Sequence, residues 1–316
     1  MTISILEAPR VSLLAGPTPV EEMSRLRAVL GGRGLPRLLV KRDDAIPFGF
    51  GGNKVRKLEF AIAQAMAGGA DTIVTLGGVQ SNHARATAAA SAKLGLKCVL
   101  IINGSSPEKP TANALLDRLL GAEIEYINSR NERAEAAERV MARLAQSGCT
   151  PFFLPLGAST PVGALGFVNA IGELIGQGIE PDVIVHACSS GGTQAGLVAG
   201  VALHALSARV IGVSADDPAS DVAATVQRIV RGIEGLESFD GPVEVDDTRV
   251  GDGYGAPTDA SREAQQLFAR SEALFVDHTY TAKAAGALIS YVREKRFASD
   301  QTVLFWHTGG QVGLFA

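Results

Sequence analysis

The run FGFGGNKVRKLEF at residues 48–60 places glycines at 49, 51 and 52 and an asparagine at 53 directly before Lys54, after which the pattern turns helical. Glycines let the backbone turn sharply and approach a ligand closely, and a lysine on the first helical turn offers an amine to whatever is held there. Three further polar, glycine-containing segments follow apolar runs: GGVQSNH at 77–83, SSGGTQAG at 189–196 and HTGG at 307–310. SSGGT follows DVIVHAC and opens the apolar stretch QAGLVAGVALHAL. Its hydroxyls and backbone N–H groups therefore gather at the positive end of a helix, an anion cradle suited to phosphate. Nucleotide fingerprints fail here. Thr193 stands where G-x-G-x-x-G needs its second glycine, and GGNK lacks the G-x-x-x-x-G-K-[ST] spacing.

A phosphate cradle in one half and a glycine-flanked lysine in the other point to pyridoxal 5'-phosphate, whose aldehyde forms an imine with a lysine and whose phosphate rests on a helix N-terminus. Taken alone, Lys54 reads as an ordinary surface lysine at a helix start; the four loops together argue for chemistry. That chemistry needs a neutral amine, and burial together with the positive charges of Arg56 and Lys57 is expected to lower its pKa.

The elements that must position these loops alternate along the chain. Apolar runs at 37–43, 71–77, 97–102, 123–127 and 151–157 are separated by helical stretches at 53–69, 82–96, 112–122 and 131–147. The rhythm resumes with a helix near 164–176, a strand at 182–189, a helix at 194–206, a strand at 209–215, two or three more helices and a terminal strand at 301–310. Such alternation predicts α/β units with parallel sheets and ligand loops at the carboxyl ends of the strands. The helix at 131–147 carries charge on one side and Ala, Val, Met and Leu on the other, and is expected to be a solvated surface helix with a structural role. With 29 Lys+Arg against 33 Asp+Glu, the net charge of −4 offers no basic field to nucleic acid or anionic lipid. Cys98, Cys149 and Cys188 stand singly, which argues against a disulfide framework and a zinc site; no metal is expected, and a reducing cytoplasm is. Neither a signal peptide in MTISILEAPRVSLL nor a membrane span is expected.

In order, KRDD, FGGNKVRKLEF, GGVQSNHARATAAASAKLGLKCVL, LGFV, SSGGTQAGL, GYGAP, YTAKAAGAL and HTGG resemble the family of pyridoxal-phosphate enzymes that contains D-cysteine desulfhydrase and 1-aminocyclopropane-1-carboxylate deaminase. The resemblance spans nearly the whole chain. It implies an α/β protein of PLP fold type II (tryptophan synthase β-like), two three-layer α/β/α domains with the cofactor between them. Residues 1–56 plus 166–316 would form the large domain and 57–165 the smaller inserted one. It implies Lys54 as the imine-forming lysine, Asn53 beside the ring, Asn82 on the ring hydroxyl, Ser190, Gly191, Gly192 and Thr193 as the phosphate loop, and Thr308 near the ring. Ser81 would lie near the substrate carboxylate or act as a nucleophile, with Gln80 and His83 beside it. Tyr254 and Tyr280 would line the substrate pocket, Tyr280 with a catalytic role. Each residue has a plainer reading, Ser81 and Asn82 as helix caps, Tyr254 as a loop anchor and Tyr280 as core; the plainer reading weighs evenly for the tyrosines and less for the SNH triplet.

Within the family, the deaminase carries Glu after the second tyrosine and Leu before the final glycine pair, where this chain has Thr281 and Thr308. Threonines would leave the ring a weaker electron sink, which suits elimination of a good β-leaving group. His83 also matches the desulfhydrase pattern. YTAKAAGAL and VGDGYGAP are more similar to L-cysteate sulfo-lyases of the same family. The expectation is a lyase releasing the β-substituent of a small amino acid to leave pyruvate and ammonia, D-cysteine desulfhydrase-like, with L-cysteate or aminocyclopropane carboxylate as alternative substrates. A non-catalytic binding module, a racemase or a transferase on the same fold is the competing class. The family likeness adds a homodimer.

Overall fold

A computed structural model describes residues 8–316; the first seven residues of the amino-terminal segment read above lie outside the described residues. The strands are β1 (Val20–Glu22), β2 (Arg37–Arg42), β3 (Thr72–Gly78), β4 (Lys97–Asn103), β5 (Glu123–Ile127), β6 (Pro151–Leu154), β7 (Val183–Cys188), β8 (Arg209–Ser214), β9 (Glu244–Asp246) and β10 (Thr302–His307). The α-helices are α1 (Ser24–Leu30), α2 (Lys54–Ala67), α3 (Asn82–Leu94), α4 (Ala112–Leu119), α5 (Arg133–Gln146), α6 (Pro161–Gly176), α7 (Gly192–Leu203), α8 (Ala219–Arg231), α9 (Asp259–Glu272) and α10 (Thr281–Arg293).

Two sheets result. One runs β1-β2-β10-β7-β8-β9 and the other β5-β4-β3-β6. All pairings are parallel except β1 with β2. A parallel sheet needs both faces covered, so its central strands read as unbroken apolar runs. Accordingly, every residue of β7 is buried, and helices α9 and α10 cover one face of the larger sheet while α6, α7 and α8 cover the other. The three-residue strands β1 and β9 escaped the sequence reading because neither carries an apolar run; each is a short edge strand. The expected seams of the inserted domain, at 56/57 and 165/166, both fall inside helices, α2 and α6. Among the described residues no helix is long and apolar enough to cross a membrane.

Helix starts follow local chemistry. Thr160 caps α6 through the Gly163 N–H, with Pro161 as its first residue, and Thr258 with Ser261 forms a reciprocal capping box at α9. Glycine lets α6 approach its neighbours closely: a Cβ on Gly166 would lie 2.2 Å from the Arg56 carbonyl oxygen, and one on Gly196 2.3 Å from that of Ala164.

Behind Lys54 a buried ionic network ties five segments together. Asp43 accepts both Nε and Nη2 of Arg56 at 2.9 and 2.8 Å, the Trp306 indole N–H at 2.8 Å and the Thr18 hydroxyl at 3.0 Å. Glu173 on α6 accepts Arg56 Nη1 at 2.8 Å and Lys41 Nζ at 2.5 Å. Removing one carboxylate strands a buried guanidinium, which typically costs about 3–5 kcal/mol. Asp43→Ala is therefore expected to lower unfolding stability by roughly that amount, measured as a denaturant midpoint shift; Asp43→Asn, which keeps an acceptor, should lose less. A shift within error for the alanine variant would contradict this anchoring role.

Candidate active site

The loops at the carboxyl ends of both sheets meet in one cavity of about 250 Å³. From the larger sheet come Ser189, Ser190, Gly191 and Thr193 after β7, Thr308, Gly309 and Gly310 after β10, and Asp216 and Asp217 after β8. From the smaller sheet come Ser81, Asn82 and His83 after β3, Asn103 at the end of β4, Arg130 and Arg133 after β5, and Leu156 and Gly157 after β6. Asn53, Lys54 and Lys57 enter from the start of α2, and Tyr254 and Tyr280 from the segments before α9 and α10.

Lys54 hydrogen-bonds from Nζ to Asn53 Oδ1 at 3.0 Å, and Asn53 Nδ2 donates to Thr193 Oγ1 at 2.9 Å. One asparagine therefore joins the lysine to the SSGGT turn, 140 residues further along the chain. Backbone bonds fix the same corner: Asn53 N–H donates to the Thr308 carbonyl at 3.0 Å, and Arg85 Nη2 donates to the Gly51 carbonyl at 2.8 Å. Lys54 forms no ion pair among the described residues. Burial pulls its pKa from 10.5 down to about 8, with Arg85 adding to the fall and Cys188 and Asp277 opposing it. Neither Arg56 nor Lys57 contributes to that fall as the sequence suggested: Asp43 and Glu173 neutralise Arg56, and Lys57 is itself driven toward its neutral form. Lys57 lies one turn on; its amine makes no hydrogen bond among the described residues and is driven well below the usual lysine range by burial and by Lys54 itself.

The SSGGT turn is tightly built. Gly191 adopts φ +78°, a Cβ on Gly192 would lie 2.6 Å from Ser159 Oγ, and one on Gly157 would lie 2.4 Å from Ser190 Oγ. Ser159 Oγ accepts the Gly192 N–H at 3.2 Å and bonds Ser190 Oγ at 2.8 Å. Hydroxyls and amides at the N-terminus of α7, with Lys57 and Lys54 lining the same cavity, fit the phosphate and aldehyde of pyridoxal phosphate.

Most of the residues singled out in the sequence come together here. Ser81 both caps α3, accepting the Ala84 N–H at 3.1 Å, and lines the cavity; Asn82 lines it while accepting Asn113 Nδ2 at 3.0 Å. His83 bonds Thr75 Oγ1 at 2.8 Å, and burial with the two lysines holds it neutral, well below the usual histidine range. The Tyr254 and Tyr280 hydroxyls bond each other and the rings meet edge-on at 5.7 Å. Burial raises the pKa of both phenols, that of Tyr280 well above its usual value. Gln80 and Gly192 are not among the lining residues: the Gln80 amide bonds the Thr111 carbonyl and the Asn113 N–H, holding the turn before α4. Thr281 also lies outside the lining, its hydroxyl donating to Asp277 Oδ1 at 2.7 Å, so only Thr308 of the threonine pair reaches the cavity.

Sequence reasoning missed Arg130 and Arg133. The helix expected to be purely structural presents its first residue, Arg133, to the cavity, and Arg130 sits in the 3₁₀ turn before it. The available signal was their place after the carboxyl end of β5, where the other site loops also lie.

Residues 11–309 match the family described as pyridoxal-phosphate dependent enzyme. D-cysteine desulfhydrase of Klebsiella pneumoniae (strain 342) is 37% identical over 320 residues, covering 98% of this chain and 96% of that protein. D-cysteine desulfhydrase of Salmonella typhi is 36% identical over 318 residues with the same coverage. A solved structure described as an ACC deaminase homologue superposes with a TM-score of 0.91 at 32% identity, over 99% of this chain and 96% of that one. A pyridoxal 5'-phosphate-dependent aspartate racemase, at 17% identity and a TM-score of 0.71, shares the fold alone. The architecture is the type II fold of pyridoxal-phosphate enzymes, as the sequence implied. Family match and lysine-to-cradle geometry agree, and the chain belongs to the pyridoxal-phosphate dependent enzymes.

Proposed function

We propose that the protein is a lyase that expels the β-substituent of a small α-amino acid, with D-cysteine the substrate favoured by its relatives. In that reaction D-cysteine and water give pyruvate, ammonia and hydrogen sulfide. The observation that carries the reading is the Asn53 bridge between Lys54 and Thr193 inside a cavity of amino-acid size. When bound, pyridoxal phosphate draws electrons away from the substrate Cα through its conjugated ring.

The protein's own groups supply the rest. Lys54 would tether the cofactor, and its Nζ would take the Cα proton of the bound amino acid. Ser190, Gly191, Gly192 and Thr193 would hold the phosphate, whose negative charge would favour the protonated form of Lys57 beside it, and Asn53, Asn82 and Thr308 would lie by the ring. Ser81 and the adjoining N-terminus of α3 receive the α-carboxylate. Gln80 acts by holding the Thr111–Asn113 turn, from which Asn113 orients Asn82. Tyr280, kept protonated by burial, offers a proton toward the leaving group, with Tyr254 fixing its hydroxyl. His83, neutral and bonded to Thr75, closes the pocket beside Ser81.

The same reading divides the chain into a large domain around the six-stranded sheet and an inserted one around the four-stranded sheet, assembled as a cytoplasmic homodimer.

Incubation with D-cysteine is expected to release pyruvate and sulfide in equal amounts, followed by a coupled dehydrogenase assay and a sulfide stain. Absence of keto acid from D-cysteine, L-cysteate and aminocyclopropane carboxylate alike would overturn the lyase reading. Lys54→Ala should cut pyruvate formation by roughly 10³-fold or more while leaving the circular dichroism spectrum unchanged. Because burial lowers the Lys54 pKa to about 8, the amine is charged below that value and neutral above it. Stopped-flow uptake of cofactor by the apoprotein should therefore quicken as pH rises from 6 and level off above about 8. A rate still climbing steeply between pH 9 and 10 would show an unperturbed lysine.

A further inference from the structure

We propose that Arg130 and Arg133 form an anion-binding subsite for the substrate side chain, so that the pocket prefers amino acids whose β-substituent is itself an anion, such as a sulfonate, over those ending in a neutral group. The inference rests on the lyase reading for its turnover arm and deepens it by naming the substrate class.

The two arginines differ in how they are satisfied. Arg130 Nη1 pairs with Asp216 Oδ2 at 2.8 Å, and its guanidinium stands 4.9 Å over the Tyr254 ring. Its charge is matched and its direction fixed. Arg133 makes no ion pair among the described residues. Its Nη2 donates to Asn103 Oδ1, and its Nε is buried with no hydrogen-bond partner. Burial and the nearby positive charge of Arg130 both disfavour its ionised form. A guanidinium cannot readily shed its proton, so this is a partly desolvated cation lacking a counter-ion, an arrangement that costs free energy until an anion arrives.

The charges lining the cavity point the same way. Lys54, Lys57, Arg130 and Arg133 face only Asp216 and Asp217. The phosphate of the cofactor would match Lys57, the N-terminus of α3 would take the α-carboxylate, Asp216 pairs with Arg130, and Asp217 feels Arg130 but makes no ion pair with Arg133. Arg133 remains. Arg133 lines the cavity together with the Tyr254–Tyr280 pair, over whose Tyr254 ring Arg130 stands, so the unmatched cation lies on the side where Tyr280 would meet the leaving group. A thiol would leave Arg133 unpaired. The oxygens of a sulfonate accept from its planar fork, and elimination releases that group as sulfite: cysteate and water give pyruvate, ammonia and sulfurous acid.

The test uses the cofactor-loaded protein and amino acids of either hand, with binding read from the visible absorbance of the cofactor and turnover from pyruvate. Aspartate and asparagine are near-isosteric and differ in side-chain charge. Aspartate is expected to bind roughly tenfold or more tightly than asparagine, about the effect of 1.4 kcal/mol. Cysteate is expected to exceed cysteine in kcat/KM. Arg133→Gln should collapse the aspartate-to-asparagine ratio toward one, and Arg133→Lys should retain part of it. Equal binding of aspartate and asparagine by the unmodified protein would overturn the subsite. So would an Arg133→Gln variant that weakens alanine, asparagine and aspartate alike, which would place the α-carboxylate or a structural role at Arg133. Pyruvate from cysteine with a ratio of one would sink the subsite and spare the lyase reading; a preserved ratio with no pyruvate from any substrate would do the reverse.

Discussion

The whole arrangement depends on keeping an amine inside the protein without giving it a carboxylate. A buried lysine normally pairs with an acid or is pushed toward its neutral form, and Lys54 moves in the second direction, its pKa lowered to about 8. Its one side-chain partner is the amide oxygen of Asn53, which leaves a lone pair available for reaction. The acids near the start of α2 are spoken for: Asp43 and Glu173 bind Arg56 and, through Glu173, Lys41, on the side of the helix away from the cavity. Charge neutralisation behind the helix and its absence in front are two parts of one design. The first anchors α2, and the second keeps its leading lysine reactive.

Topology then explains why so many polar groups reach one place. In both sheets the parallel strands end on the same cavity, so the loops that follow them together deliver its polar lining. The asparagine bridge from Lys54 to Thr193 crosses between the α2 start and the α7 start, and backbone bonding from Asn53 to Thr308 brings in the loop after β10. Rigidity follows from glycine placement as much as from hydrogen bonding. A single methyl group on Gly157 or Gly192 would collide with the serines that shape the SSGGT turn.

Much of this was legible in the chain because the informative features are local. The alternation of apolar and helical runs marked eight of the ten strands among the described residues, and glycines beside Lys54 and after DVIVHAC marked both ends of the candidate cofactor site. What escaped reading depends on contacts distant in sequence. Arg56 looked like a neighbour that would perturb Lys54, yet α-helical geometry points it to Asp43 and Glu173. Arg133 looked like one more charge on a solvated helix, because nothing in NERAEAAERVMARLAQS shows that its first turn faces the loops after β7 and β8. Thr281 looked like a ring contact from its place beside Tyr280, whereas it serves as a partner of Asp277 at the start of α10. Periodicity reports which face of an element is apolar; it does not report what stands opposite a polar one.

The central claim is that the amine at position 54, and not its buried neighbour three residues on, is the covalent attachment point for pyridoxal phosphate. Borohydride reduction of the cofactor-loaded protein, followed by protease digestion and mass spectrometry, tests this directly. The account predicts the pyridoxyl phosphate mass on Lys54 alone, with Lys57 unmodified. Label on Lys57, on a surface lysine, or on none would contradict it.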